Sequence, residues 1–525
     1  MARPNLVLYN GIVHTMDRAR PTASALAIAG ERILAAGGDG LKDELAPGGI
    51  AIDLHGKTAL PGLIDAHLHF VWYSLGLKNV DLQGVPTLDE ALRRIAAHAA
   101  ETAPEVWIRG GRWNCNLWGG EFPTRYDLDR VVPDHPVLLP SKDGHSAWVN
   151  SKALELAGVD ASTPDLEDGR IFRNERGEPT GILQENAISL VRRIVPDPSL
   201  EEMMAACRVG MGNAHRVGLT GVHNCEGGRE FAALQALERR SELTLRVLQH
   251  IPEGSLDAAI DLGVRDGLGS DRLRLCGVKA FADGALGSRS AWMLEPYETD
   301  RDNCGVPTMT PEAARDLVRR ANGAGLSVAV HAIGDAANRM VLDAFEQEGD
   351  RALRNRIEHV QLLHPDDLGR LAGLKAIASM QPIHATSDIE IADLHWGRRA
   401  ATGYAWRSLL DAGTVLAFGS DAPVEDMSPL AGIYAAVTRR RPDGFPAREG
   451  WYPEQRIAAC EAVYAYTMGA AFAGGEEAIK GSLAPGKLAD LVVLDRDILS
   501  VDPELILSTQ VLGTMVGGAW VYGRG

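Results

Sequence analysis

Eight short apolar runs recur along the middle of the chain, most of them followed by a stretch of helical character, and this alternation constrains the fold most strongly. The runs lie at 60–66, 220–224, 245–250, 273–281, 327–330, 356–359, 376–380 and 415–419. Strand–helix units in series build a parallel sheet, and eight of them suggest a closed α/β barrel, a (β/α)8 TIM barrel. Helical stretches at 310–324, 339–347 and 365–374 each start near a Pro, Asp or Thr, residues favoured in a first helical turn.

Two regions do not belong to that pattern. Between Phe70 and about Leu219 lie roughly 150 residues, where a strand-to-helix connection needs only a few. Segments at 106–110, 137–140 and 181–194 have elements of their own, so 71–218 reads as an insertion after the first strand, a lid or substrate-shaping subdomain. Residues 1–58 alternate as short strands bounded by Gly and Asn, and residues 475–525 behave alike. Neither piece has enough apolar strand for its own core. The two are expected to combine into one composite β-sandwich, leaving 59–474 as the barrel domain.

Composition narrows the partners. With 45% hydrophobic and 23% charged residues, 57 Gly and 27 Pro, the chain is a turn-rich globular protein rather than a disordered, collagenous or coiled-coil one. Its 53 basic and 70 acidic residues give a net charge of −17 without a basic run, which argues against nucleic acid or an anionic membrane as partner. The N-terminus lacks the apolar core of a signal peptide and no stretch reaches the ~18 apolar residues of a membrane span, so a cytoplasmic location is expected. Six cysteines stand singly, without a Cys-x-x-Cys pair, which suggests neither a disulfide framework nor a zinc knuckle. A homodimer is the expected assembly, closed twofold symmetry being the commonest.

The chemistry concentrates at the ends of the apolar runs. In Leu60-Pro-Gly-Leu-Ile-Asp-Ala-His67-Leu-His69, residues two apart on an extended strand project to the same side, so two imidazoles are presented together. Asp65 points the same way and is a candidate to orient one imidazole. His331, His359 and Asp421 close three further runs. Four His and one Asp at the C-terminal ends of four strands is the arrangement a catalytic barrel face requires. Lys279 lies inside an apolar run, where a buried charge must be removed or paired. Carbamylation by carbon dioxide, giving a carboxylate that bridges two divalent ions, is one outcome; pairing with a buried acid is the other.

These residues, with Gly481-Ser-Leu-Ala-Pro-Gly-Lys-Leu-Ala-Asp-Leu-Val-Val-Leu-Asp495, resemble the amidohydrolase superfamily of metal-dependent hydrolases. Trp113, Asp143-Gly-His145-Ser-Ala-Trp-Val-Asn150, Thr180-Gly-Ile-Leu-Gln-Glu185 and Asp283-Gly-Ala-Leu-Gly-Ser-Arg289 resemble its amidohydrolase-3 branch, which includes N-substituted formamide deformylases. The resemblance covers essentially the whole chain and leaves the substrate unspecified. It implies Zn²⁺ or a similar ion held by His67, His69 and Asp421, with a carbamylated Lys279 bridging to a second ion on His331 and His359. Mn²⁺, Fe²⁺ and Ni²⁺ suit the same ligand types. It further implies hydrolysis of an amide or N-acyl C–N bond by a metal-activated water, Asp421 acting as general base.

Other residues are candidates for the substrate. His145 either hydrogen-bonds the substrate or its oxyanion, or is structural; Glu185 and Arg289 either contact substrate or form salt bridges. His223 ends the second run, and His384 lies on the exit of the seventh. Trp107, Trp113, Trp118 and Trp148 either wall an apolar pocket, which would favour an apolar or aromatic N-acyl substrate, or form the insertion's own core. Three function classes follow: a binuclear amidohydrolase, a mononuclear deaminase or ester/lactone hydrolase in which Lys279 is unmodified and His359 assists, and a non-catalytic relative. All six ligand positions are present, which argues against the last.

Overall fold

Apolar runs three to nine residues long are too short for stable helices and, when buried on both faces, pair as parallel strands. In the computed structural model, which describes residues 3–142, 144–166 and 169–523, they become Leu63–Leu68, Leu219–Asn224, Arg246–Pro252, Leu273–Phe281, Val328–Ala332, Arg356–His359, Ile377–Met380 and Leu416–Phe418. These eight strands are hydrogen-bonded side by side in chain order, all parallel. Helices such as Pro311–Gly323 and Asp335–Glu348 alternate with them; Thr310 caps the former by accepting from the Ala313 N–H, with Pro at the first turn.

The first and last strands meet at a seam that closes the nearly complete barrel. The Asp421 N–H donates to the His67 carbonyl at 2.7 Å and the His69 N–H to the Ala422 carbonyl at 2.8 Å. The Asp65 carboxylate accepts from the Ser420 N–H at 3.0 Å and from its hydroxyl at 2.5 Å. Gly419 permits this approach, since a Cβ there would lie 2.5 Å from the His67 nitrogen.

The expected strand at 60–66 divides in two. Thr58–Pro61 pairs antiparallel with Leu491–Leu494 in a six-stranded sheet that joins strands from both chain ends, and the barrel strand starts afresh at Leu63. Between them a Cβ at Gly62 would strike the Thr220 hydroxyl, at 2.2 Å. A second sheet of four N-terminal strands packs on the six-stranded one, and Leu6, Leu26 and Ile28 share a core with Leu491, Val493 and Met515. The two ends of the chain thus complete one another's hydrophobic face.

Residues Ser74–Ala206 form a separate compact unit. Six strands run from Gly169–Arg173 across to Val80–Asp81, over a core containing Ile108, Leu139, Trp113 and Trp148. The Trp113 indole N–H donates to the Leu139 carbonyl and that of Trp148 to the Thr124 carbonyl. Trp113, expected as a substrate contact, is therefore a core residue: an indole with its one donor satisfied internally contributes most by burial. The unit is shorter than 71–218 because its second boundary falls inside the helix Leu200–Arg216, whose last turn is held to the barrel by His215, 3.0 Å from the Leu219 carbonyl and 2.9 Å from the Thr244 hydroxyl. No helix among the described residues is long and apolar enough to cross a membrane.

Barrel and sandwich are tied by a buried bidentate pair, Arg246 Nε and Nη2 to the two Asp490 oxygens at 2.6 and 2.8 Å. Removing one partner leaves the other charge buried and alone, which costs about 3–5 kcal/mol. Asp490→Ala should therefore lower the thermal midpoint sharply, read by calorimetry; a midpoint within a degree of the parent would show the pair to be dispensable.

Candidate metal centre

At the C-terminal ends of the strands the expected side chains converge. His67 and His69 leave the first strand with ring centroids 6.0 Å apart; the His359 ring lies 4.8 Å from that of His67 and 4.5 Å from that of His331. Asp421 Oδ1 lies 3.5 Å from His67 Nε2 and 3.4 Å from His69 Nε2. One ligand atom each from His67, His359 and Asp421 falls within 4.8 Å of the others, all three residues being buried. The backbones of His359 and Asp421 sit in the left-handed region, at φ +75° and +59°. That conformation costs on the order of 1–3 kcal/mol per non-glycine residue and persists where the surroundings impose it.

The strain at His359 explains the local geometry. In a regular strand Arg356 and Glu358 share one face while Ile357 and His359 share the other. Turning the His359 backbone breaks the alternation, so that Glu358 and His359 both reach the histidine cluster. Glu358 Oε2 lies 2.6 Å from His67 Nδ1, and the carboxylate is fully buried. A carboxylate accepts only, so His67 carries its proton on Nδ1 and keeps the Nε2 lone pair free on the side facing Asp421. Asp65, expected to orient an imidazole, instead accepts from the His67 backbone N–H and from Ser420. Both its oxygens serve the barrel seam, and the orienting role falls to Glu358.

The electrostatics match metal ligation. Burial pushes the pKa of His67 and His359 down, and that of His331 down to about 3, with the Lys279 and histidine charges acting the same way. All three are neutral, the form that binds a metal. Burial alone would raise the Asp421 carboxyl, but hydrogen bonds from His384 and His69 outweigh it and hold the group well below the usual carboxylate range. His384 Nε2 lies 3.2 Å from Asp421 Oδ2 and its Nδ1 3.6 Å from Glu425. Burial would lower its pKa; the bonds to Asp421 and Glu425 prevail and raise it to about 10. Rather than a loop residue lining a pocket, His384 is a buried partner of Asp421 in the helix Pro382–Ser387.

Lys279 Nζ is buried without a hydrogen-bond partner among the described residues, 4.4 Å from the Phe281 ring centroid, and burial pushes its pKa down. An ionised carboxylate, neutral imidazoles with converging lone pairs and an unpartnered buried amine fit a divalent cation of the Zn²⁺ type.

The remaining candidates lie elsewhere. His223, expected at the barrel mouth, is wholly buried in the barrel interior, its Nδ1 2.9 Å from Arg356 Nη1; no surface is left for a substrate. Arg289 makes an exposed ion pair with Asp300 at 3.5 Å. In the smaller unit His145 Nδ1 and Glu185 Oε1 lie 3.0 Å apart, both exposed, with Glu185 at φ +49°. Asp143 of the same motif lies outside the described residues. Two aromatic rings were not anticipated. Trp72 stacks on His69 with centroids 5.1 Å apart and is 54% exposed, and Phe281 leans on His331 at 5.3 Å and is 49% exposed. Their sequence signal is proximity: Trp72 lies three residues beyond His69, and Phe281 two beyond Lys279 on the same strand face.

A model of the amidohydrolase family, Amidohydro_3, matches residues 51–522. Protein LONG AFTER FAR-RED 3 of Arabidopsis thaliana is 37% identical over 99% of this chain and 91% of its own length. The N-substituted formamide deformylase of Arthrobacter pascens is 30% identical over 99% and 98%. A crystal structure of an uncharacterized metal-dependent hydrolase from Pyrococcus furiosus is 32% identical, superposes with a TM-score of 0.80 and covers 94% of this chain and 100% of its own.

A ligand that binds the folded state alone stabilises it by about 4 kcal/mol at a thousand times its Kd. Zinc added to metal-free protein should raise the thermal midpoint by several degrees, and the rise should shrink in His67→Ala and Asp421→Ala. Equal rises in parent and variants would place the ion elsewhere.

Proposed function

The chain belongs to the amidohydrolase family and is a metal-dependent hydrolase, and on that premise we propose that it hydrolyses the C–N bond of an amide or N-acyl compound bearing an apolar or aromatic group. The observation that carries this reading is the meeting of ionised Asp421 with His69 and with neutral His67 and His359 beside the unpartnered Lys279 amine. In it, His67, His69 and Asp421 would hold one divalent ion, and His331 and His359 a second. A divalent ion bound there polarises a carbonyl and lowers the pKa of a water toward neutrality.

The chain's own residues do the rest. Burial favours the neutral Lys279 amine, the form that adds to carbon dioxide: Nζ would bond to the carbon as one C=O π bond opens, a proton would leave the nitrogen to solvent, and the resulting carbamate would offer carboxylate oxygens for a divalent ion. Asp421 is steadied at Oδ2 by His384, so its Oδ1 edge, turned toward His67 and His69, takes the proton of the attacking water and passes it to the leaving nitrogen. Trp72 and Phe281 offer exposed apolar faces against two of the ligand imidazoles, which supports the apolar substrate. The tightness of the His67–His359–Asp421 trio favours, as a second reading, a single ion and a deaminase or ester/lactone hydrolase with Lys279 unmodified.

Metals counted per chain separate the two: about two for the first reading, about one for the second. Under the first, Lys279→Ala loses an ion and most activity, and short carboxylic acids restore part of it; full metal retention in that variant would falsify the bridge. Asp421→Ala should cost about 10²–10⁴-fold or more in kcat on any substrate found. Trp72→Ala and Phe281→Ala should each raise KM for an N-benzyl amide about tenfold relative to an N-methyl one, since an aromatic contact with its burial contributes ~1.5 kcal/mol. Equal effects on both substrates would remove the rim from specificity.

A further inference from the structure

Beneath the histidine cluster the barrel interior holds a charged group that the proposed chemistry does not use. Arg356, 1% exposed, places Nε 2.5 Å from Glu358 Oε1 in an ion pair. Its Nη1 lies 2.9 Å from His223 Nδ1, and its Nη2 2.7 Å from His250 Nε2 and 3.1 Å from the Ala66 carbonyl. A guanidinium has donors only and stays protonated, so both histidine nitrogens that face it are lone pairs and both rings are neutral. Burial, then the Arg356 charge, pushes both rings well below the ordinary histidine range. The same cation also offsets the charge of a fully buried carboxylate, which standing alone would be costly. Arg356 therefore reaches His67 twice, through the carbonyl of the preceding residue and through the carboxylate that holds its ring.

We propose that Arg356 is a positioning residue for the metal ligand His67: by anchoring Glu358 it fixes the Nδ1–H tautomer of His67 and keeps Nε2 free to bind metal, while His223 and His250 serve as neutral acceptors that hold the guanidinium. This rests on the reading of His67 as a ligand. It assigns a task to the two histidines nearest Arg356, which otherwise are buried polar groups without purpose. Orienting partners of this kind change metal affinity about 10- to 100-fold.

The test is zinc affinity, measured by competition with a chromophoric chelator on the full chain, together with the melting temperature of the metal-free protein. Arg356→Gln should weaken zinc 10- to 100-fold, and Glu358→Gln by a similar factor. Because the first acts through the second, the double variant should bind within about twofold of Glu358→Gln, not with the product of both losses. Arg356→Lys, which keeps the charge, should recover part of the affinity and serves if Arg356→Gln does not fold. Unchanged affinity in Arg356→Gln, or multiplicative losses in the double variant, would overturn the proposal, as would an Arg356→Lys loss that only tracks a lowered metal-free melting temperature. His67→Ala with parental zinc affinity would instead overturn the ligand reading on which it rests.

Discussion

Closing the barrel and assembling the histidine cluster are one physical event. The hydrogen bond from the Asp421 N–H to the His67 carbonyl joins the last strand to the first, and the two residues so joined carry the carboxylate and imidazole that face each other at 3.5 Å. Asp65 and Ser420 lock the same seam one step lower, and Gly419 lets the strands approach. A parallel barrel sends all its strand ends to one face, so His331 arrives there without any further device, and His359 by the left-handed turn of its backbone. Loosening the seam would separate the Asp421 and His67 side chains and expose the buried barrel interior together.

Burial then decides the charge states. His67, His331 and His359, removed from water, stay neutral, whereas His384 between two carboxylates holds its proton; of the ionised carboxylates, Glu358 has Arg356 as partner and Asp421 has His384. Placing counter-charges behind the carboxylates leaves Glu358 to hold the His67 ring and turns Asp421 Oδ1 toward the His67 and His69 Nε2 atoms. The space between these atoms is electrostatically suited to a cation, and the strained backbones at His359 and Asp421 are held there by the hydrogen bonds of the seam and the neighbouring strands.

How much of this was legible in the sequence follows from the same physics. The barrel strands and the convergence of His67, His69, His331, His359 and Asp421 could be read because burial on both faces makes the strands continuous apolar runs, and strand-end polar residues stand out against them. The composite sandwich was legible because neither chain end could bury its strands alone. Glu358 was not, since period-two alternation puts it opposite His359 and only the left-handed His359 backbone reunites them. Asp65 was assigned the wrong partner because alternation gives a side chain's face but not which strand it will bridge. His223 and Trp113 are polar-capable residues whose burial depends on long-range partners, Arg356 and the Leu139 carbonyl, that no local pattern reveals.

The aromatic rim follows from the demands of the cluster it borders. Burial favours the uncharged forms of the His331 imidazole and the Lys279 amine, and Trp72 packs against His69 and Phe281 against His331. The same stacking leaves about half of each aromatic side chain exposed beside the cluster, at 54% for Trp72 and 49% for Phe281. Drying the site strengthens each electrostatic interaction inside it, so a substrate whose apolar group completed the cover would strengthen the polarisation of its own carbonyl. Selectivity for an apolar group and the strength of the catalytic field would then rest on the same two residues.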